Sequence, residues 1–346
     1  SLPSQMAQSL RSIGTESLEP LFPIDPRFEE RMRREGLDLW YVVRFNKQQD
    51  LQGAMQTLAS TPEIEYTEPV YEIARPTGKA VAVDAPRRSD APAAPFDDPM
   101  LGDQWHYNNT GRFPRSVAGA DIGLFKAWEK ETGKPNVIVA ITDGGIDITH
   151  PDLKDNLFVN VKELNGQEGV DDDGNGFIDD INGFNFIHNN GKIYPDDESH
   201  GTHVAGTVAA RNNNGIGVAG IAGGDGTDGS GARLMSCQIF GGEREGGNSA
   251  NAIVYSANNG AVISQNSWGY IYKANITAIP QSQKAAIDYF IKYAGCDKDG
   301  NQLPNSPMKG GVVIFAAGND GLDYRSFPGA YPPVVAVGSM APDWKS

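Results

Sequence analysis

Val137-Ile-Val-Ala-Ile-Thr-Asp-Gly-Gly-Ile-Asp147 decides the fold. Its first six residues, Val137 to Thr142, run apolar without alternation, the mark of a strand buried on both faces of a parallel sheet. Runs of similar character follow at Ala232 to Phe240, Ala261 to Gln265 and Gly311 to Ala316, and Pro333-Val-Val-Ala-Val-Gly338 adds another. Helical stretches fall between them, at about 121–131, 201–211, 249–258 and 280–294. This alternation predicts an α/β fold, a three-layer, mostly parallel sheet with helices on both faces. Working residues then belong at the carboxyl ends of the strands.

Outward from that core, the chain of 346 residues is long enough for roughly two domains. Residues 1–75 read as a small α+β unit. Leu37 to Phe45 is rich in β-branched and aromatic residues and predicts a strand. Asp50 is placed to cap a helix through Leu51, Met55 and Leu58. Ile64 to Ile73 predicts a second strand, at an edge because Pro69 interrupts it. Residues 76–97 change character: Pro76, Pro86, Pro92 and Pro95 stand among Ala, Asp and the dibasic Arg87-Arg88. They read as a linker, either a spacer or a cleavable junction. Residues 98–346 form the α/β body.

The net charge of −15 opposes general nucleic-acid binding and attraction to anionic lipid. No apolar run is long enough for a membrane span. Two cysteines do not make a disulfide scaffold, and Cys237, inside a strand, reads as a buried free thiol.

Asp143 ends the Val137–Thr142 strand, where a buried carboxylate is costly unless paired. His200 opens His200-Gly-Thr-His-Val-Ala-Gly-Thr-Val-Ala-Ala210, a tightly packed helix of small residues. His203 shares a helical face with it. A metal pair is one alternative, although no third ligand follows at zinc-hydrolase spacing; a core role for His203 is the blander reading. Asn319 ends Gly310-Gly-Val-Val-Ile-Phe-Ala-Ala-Gly-Asn319. It is either a turn former or an amide that donates to a developing oxyanion.

Together these segments resemble the subtilisin-like serine proteases. Asp143 in its D-G-G-I-D, with His150-Pro-Asp-Leu153 behind it, resembles their aspartate motif; H-G-T-H-V-A-G-T resembles their histidine motif, with His200 as the base; A-A-G-N-D resembles the segment of their oxyanion asparagine, here Asn319. Asn266-Ser-Trp-Gly269 resembles the strand that pairs with substrate, which implies that Ser267, Trp268 and Gly269 bind it. Phe327-Pro-Gly-Ala-Tyr-Pro-Pro333 resembles the pocket rim, and Ala317, Gly318 and Ser326 are then expected to shape the primary pocket. The Asp-before-His order matches the subtilisin order of the general triad scheme. The resemblance covers about residues 98–346. The N-terminal unit, through Pro62-Glu-Ile-Glu-Tyr-Thr-Glu-Pro-Val-Tyr71, resembles the propeptides of the family, which implies an intramolecular inhibitor laid through the cleft.

The family nucleophile lies in G-T-S-M-A-x-P, which the sequence does not contain. Gly338-Ser-Met-Ala-Pro342 is nearest, but it lacks the Thr and closes a strand that precedes the nucleophile in the family. Ser267 is assigned to the substrate wall. The expectation is a chain that stops before its nucleophile and is inactive alone, with a separate C-terminal fragment as a possible partner. The resemblance implies serine endopeptidase activity on peptide or protein substrates in a secreted, periplasmic or cell-surface setting. The competing classes are a peptide-binding pseudoprotease and a metallohydrolase.

Asp171-Asp-Asp-Gly-Asn-Gly-Phe-Ile-Asp179 follows the EF-hand loop spacing. Asp171, Asp173 and Asn175 take positions one, three and five; Phe177 offers its carbonyl at seven; Asp179 stands at nine. Asn182 replaces the usual bidentate Glu at twelve. A calcium ion is the expected cofactor. The resemblance further implies a second site at Asp98 and Asp152, completed by Asn212-Asn-Asn214.

Overall fold

A computed structural model describes residues 3–46, 48, 50–75, 94–242, 248–271, 276–319, 321 and 323–344. The N-terminal region contains α1 (Ser4–Ser12), β1 (Thr15–Pro20), α2 (Glu29–Arg34), β2 (Tyr41–Phe45), α3 (Leu51–Ala59) and β3 (Ile73–Ala74). The body continues with α4 (Leu124–Trp128), β4 (Ile138–Asp143), α5 (Val161–Leu164), β5 (Gly183–Asn185), α6 (His200–Ala209), β6 (Arg233–Gln238) and α7 (Ser249–Asn258). Then come β7 (Ile263–Asn266), β8 (Gly269–Tyr270), α8 (Gln281–Tyr293), β9 (Val312–Ala316) and β10 (Val335–Val337).

The main sheet has six strands in the order β10-β9-β7-β4-β6-β5, and every neighbouring pair is parallel. This is the α/β architecture that the apolar runs predict. Side chains alternate along a strand, so β4 feeds two cores. Val139 and Ile141 join Leu234 against Ala205 and Ala209 of α6. Ala140 faces the other way, with Met235, Cys237, Ile253 and Tyr255. Helices therefore cover both faces. The five apolar runs become strands within a few residues of their expected limits. β5 was missed, because Gly183-Phe-Asn185 is too short and polar to carry a strand signal; it pairs through Gly183, whose φ of +120° leaves no room for a Cβ beside Ser236.

The N-terminal region differs more from expectation. Asp50 caps α3 as predicted, its carboxylate accepting from Gly53 N at 2.8 Å. β2 is shorter than the expected strand, because Leu37–Leu39 turn as a 3-10 helix after Gly36. Its partner is β1, antiparallel. The expected 64–73 strand is reduced to Ile73–Ala74, which pairs antiparallel with β8 of the body. Pro69 keeps the preceding residues out of a ladder. Most of the expected linker, residues 76–93, lies outside the described residues. Phe96 and Asp97, which the sequence assigns to it, pack on the body: the Phe96 ring lies 4.8 Å from Trp128, and Asp97 accepts from Gly215 N at 2.9 Å.

The segment 21–40 anchors this region. Phe22, Met32 and Leu37 are fully buried in the same core as Tyr255, Tyr289 and Phe290. Arg31 is buried with them. Its guanidinium donates to Tyr289 Oη (2.7 Å), Asn258 Oδ1 (2.8 Å) and the carbonyls of Cys296 (3.1 Å) and Asp297 (2.8 Å). Both cysteines are buried and free. Among the described residues no helix is long and apolar enough to cross a membrane.

Candidate active site

β4 delivers Asp143 to the carboxyl edge of the sheet, wholly buried. Gly144 and Gly145 then turn the chain; Gly145 has φ +89° and lies too close to the Tyr194 carbonyl for any side chain. That turn leaves space for the start of α6, whose first residue is His200. His200 Nδ1 meets both oxygens of Asp143, at 2.8 and 3.0 Å. A carboxylate on Nδ1 fixes the tautomer and leaves Nε2 as the working nitrogen. The hydrogen bond that His200 donates to Asp143 raises the His200 pKa above the usual imidazole value, against burial and the nearby Arg75 cation, which lower it. Asp143 and His200 are therefore brought together, from positions far apart in the sequence, as an oriented base.

The expected substrate wall begins at the end of β7, the strand next to β4. β7 and β9 end at the same edge as β4, because all are parallel. Gly269 and Tyr270 form β8, and their backbone pairs with Ala74 and Ile73. Ser267 Oγ accepts from Gln265 Nε2 at 2.9 Å. The Trp268 side chain is fully buried, edge-on to Phe315 at 4.9 Å, and supports the wall from behind. Ala317, Gly318 and Asn319 are exposed just past β9. Ser326 joins them: a Cβ on Gly269 or Gly318 would stand 3.6 or 3.7 Å from Ser326 Oγ. His203 is exposed, so the core role expected of it is wrong: the α6 face turned to the sheet carries Ala205 and Ala209 instead. His200 and His203 join no cluster of potential metal ligands among the described residues. Ser339 follows β10, the edge strand, with β9 and β7 between it and β4.

What the residue pattern did not reveal is the acidic flank of His200. Asp196 is buried, and its Oδ1 accepts from His200 N at 3.3 Å. Arg75 ion-pairs with Asp196 and with Glu198 Oε2 at 3.3 Å, and lies over the Phe240 ring. Upstream of Arg75, the Glu68 carboxylate accepts from Gln281 N (2.7 Å) and Ser282 N (3.0 Å) at the start of α8. The N-terminal region thus crosses the candidate cleft as an extended segment.

The profile of the Subtilase family matches residues 134–343, and that of the N-terminal of Subtilase family matches residues 2–111. The chain belongs to the subtilase family. Similar proteins include "Subtilisin-like protease 1" of Plasmodium berghei (strain Anka), 35% identical over 48% of this chain and 27% of the relative. The "Major intracellular serine protease" of Bacillus subtilis (strain 168) is 31% identical over 62% of this chain and 54% of the relative. This subtilase chain therefore spans about a quarter to a half of these relatives. In fold it is similar to fervidolysin from Fervidobacterium pennivorans, a keratinolytic enzyme related to subtilisin. The TM-score is 0.55 at 21% identity, covering 96% of this chain and 41% of that one.

The acidic loop of this subtilase forms a second polar centre. Asp171 Oδ1 accepts from Gly174 N and Asn175 N, and its Oδ2 from Gly176 N, all within 3.0 Å. Carboxylate oxygens of Asp171, Asp173 and Glu163 lie within 4.8 Å of one another. Glu163 was not anticipated. It comes from α5, before the loop, where position counting from Asp171 does not look. The Asn175 side chain donates to Asp180 Oδ2 at 2.9 Å. Asp179 stays outside the cluster, its carboxylate accepting from Gly169 N at 3.0 Å. The Phe177 ring packs between Phe184 and Tyr255. Arg27 reaches the loop from the N-terminal region and donates to Asp173 Oδ2 at 2.9 Å. Asp98 and Asp152 are likewise brought to one turn: Asp98 accepts from Asn213 N at 2.8 Å, and Asp152 from Asn214 Nδ2 at 2.9 Å.

Proposed function

We propose that this chain is the base-bearing part of a serine endopeptidase, held in a proenzyme-like state by its own N-terminal region. The observation that carries the reading is His200 held by Asp143 beside a backbone strand already paired with an extended segment. His200 Nε2 takes the proton of a serine hydroxyl as that oxygen attacks the peptide carbonyl, then returns it to the leaving amine. Asp143 orients the ring and stabilises the imidazolium. Asn319 donates to the oxyanion. The backbone of Ser267, Trp268 and Gly269 receives substrate as an added strand, and Ala317, Gly318 and Ser326 shape the primary pocket. The family's serine motif is absent from residues 1–346, and these residues alone are proposed to be inactive. With Ile73–Ala74 on β8 and Arg75 beside His200, the N-terminal region fills the place of a substrate and acts as an inhibitor.

Calcium fits the loop by donor type. Asp171, Asp173 and Glu163 supply hard oxygen ligands, and their mutual repulsion calls for a cation. Bound there, calcium would neutralise the cluster and brace the body. A setting outside the cytoplasm is part of the same proposal.

The test is casein hydrolysis by the full-length encoded protein and by its His200→Ala variant. Turnover by the first and its loss in the second are expected. Activity of the variant within a few-fold of the parent overturns the assignment.

A further inference from the structure

Arg75 occupies a built subsite. Asp196, whose side chain is only 3% exposed, directs one carboxylate oxygen to Arg75 and the other to His200 N. Glycines make room for it: a Cβ on Gly144 would fall 1.9 Å from Asp196 Oδ2, and one on Gly241 would fall 2.9 Å from its Cβ. Glu198 adds a second, exposed carboxylate, and the Phe240 ring supplies an aromatic face 5.4 Å from the guanidinium. A buried carboxylate is costly to leave without its cation, and a guanidinium over an aromatic face gains further.

The chain direction says which substrate residue belongs there. Ile73 and Ala74 pair with Tyr270 and Gly269, and Arg75 is the next residue, at His200. Its side chain points to Asp196, whereas the primary pocket is proposed at Gly318 and Ser326. Successive side chains of an extended strand point to opposite sides, so the residue in the primary pocket is a neighbour of the one in the Asp196 subsite. It is the following one, because the segment runs from Tyr270 to Gly269, towards the end of β7 and His200.

From this we infer that the enzyme selects substrates with Arg or Lys at the second residue before the scissile bond, through Asp196 and Glu198, and that Arg75 mimics that residue. The inference rests on the proposed peptidase reading and narrows its substrate class to basic peptides.

The test uses the full-length protein and peptides that differ only at that position. Arg and Lys peptides are expected to exceed the Ala peptide at least tenfold in kcat/KM, with the Glu peptide below Ala. Asp196→Asn and Glu198→Gln should each shrink the Arg-to-Ala ratio, and Glu198→Arg should shift preference towards Glu. A structural role alone would change kcat/KM for all peptides without moving their ratio. On the unaltered enzyme, a peptide of residues 66–75 should inhibit at least tenfold better than its Arg75→Ala counterpart, which keeps the test intact if a variant fails to fold. Equal cleavage of the Arg, Ala and Glu peptides overturns the selectivity and leaves the peptidase reading standing. No cleavage of any peptide or of casein overturns both.

Discussion

Arg75 and Arg27 each carry a guanidinium from the N-terminal region to a carboxylate cluster, and they arrive by different means. Arg75 follows a two-residue ladder on β8, a contact any extended peptide can make. Arg27 stands in a 3-10 turn capped by Asp25, beside Phe22, Met32 and the buried Arg31. That contact needs a folded partner. The first resembles substrate binding; the second is docking. For the proposed inhibitor role this division is useful, because the anchoring lies away from the proposed catalytic centre.

The largest expected effect breaks the cleft side alone. His200→Ala should lower kcat by roughly 10^3-fold or more, while the N-terminal region stays docked by limited proteolysis. Release of that region by the same change would mean that docking and catalysis are not separate.

Next is the anchor. Arg31→Ala removes a charged donor from three buried acceptors and one half-buried one, and charged hydrogen bonds contribute about 2 kcal/mol each, so the N-terminal region should loosen markedly. Hydrogen exchange in β1 and β2 should rise, with β4 protection unchanged. Unchanged exchange in β1 and β2 would show that Phe22, Met32 and Leu37 suffice.

Calcium removal probes the loop. At calcium a hundredfold above Kd, the ion would contribute about 2.7 kcal/mol, so EGTA should lower Tm by several degrees. Glu163→Gln should weaken that response. An EGTA-insensitive melt would leave the loop as an acidic turn clamped by Arg27.

The smallest effect is electrostatic. The Arg75 cation opposes protonation of His200, so Arg75→Ala should raise the His200 pKa further. The neutral, competent base would then be lost at a higher pH as the solution is acidified. An NMR titration of the imidazole reads this directly, and a downward shift would contradict the placement of Arg75.

The legibility of the two centres in the sequence also differs. The sheet was readable because a strand buried on both faces must be continuously apolar, as Ile138 to Ile141 is. Asp143 and His200 were readable because both lie at ends of strongly patterned elements. β3 is shorter than the expected 64–73 strand, and its partner, β8, lies in the body: the residue pattern suggests a strand but not which distant strand it joins. Glu163 was missed because the loop recruits it from outside the counted spacing. Trp268 sits in the motif expected to pair with substrate through its main chain; that its indole supports the wall from behind is visible only in the fold. Asp196 has no pattern of its own; only the folded turn after Gly144 shows that its carboxylate faces Arg75.

The most direct test is labelling of the full-length protein with a fluorophosphonate, with the modified residue mapped by mass spectrometry. The expected result is one labelled serine beyond residue 346, appearing once the N-terminal region is released and absent in His200→Ala. Label on Ser267 or Ser339, or label that persists without His200, would contradict the account.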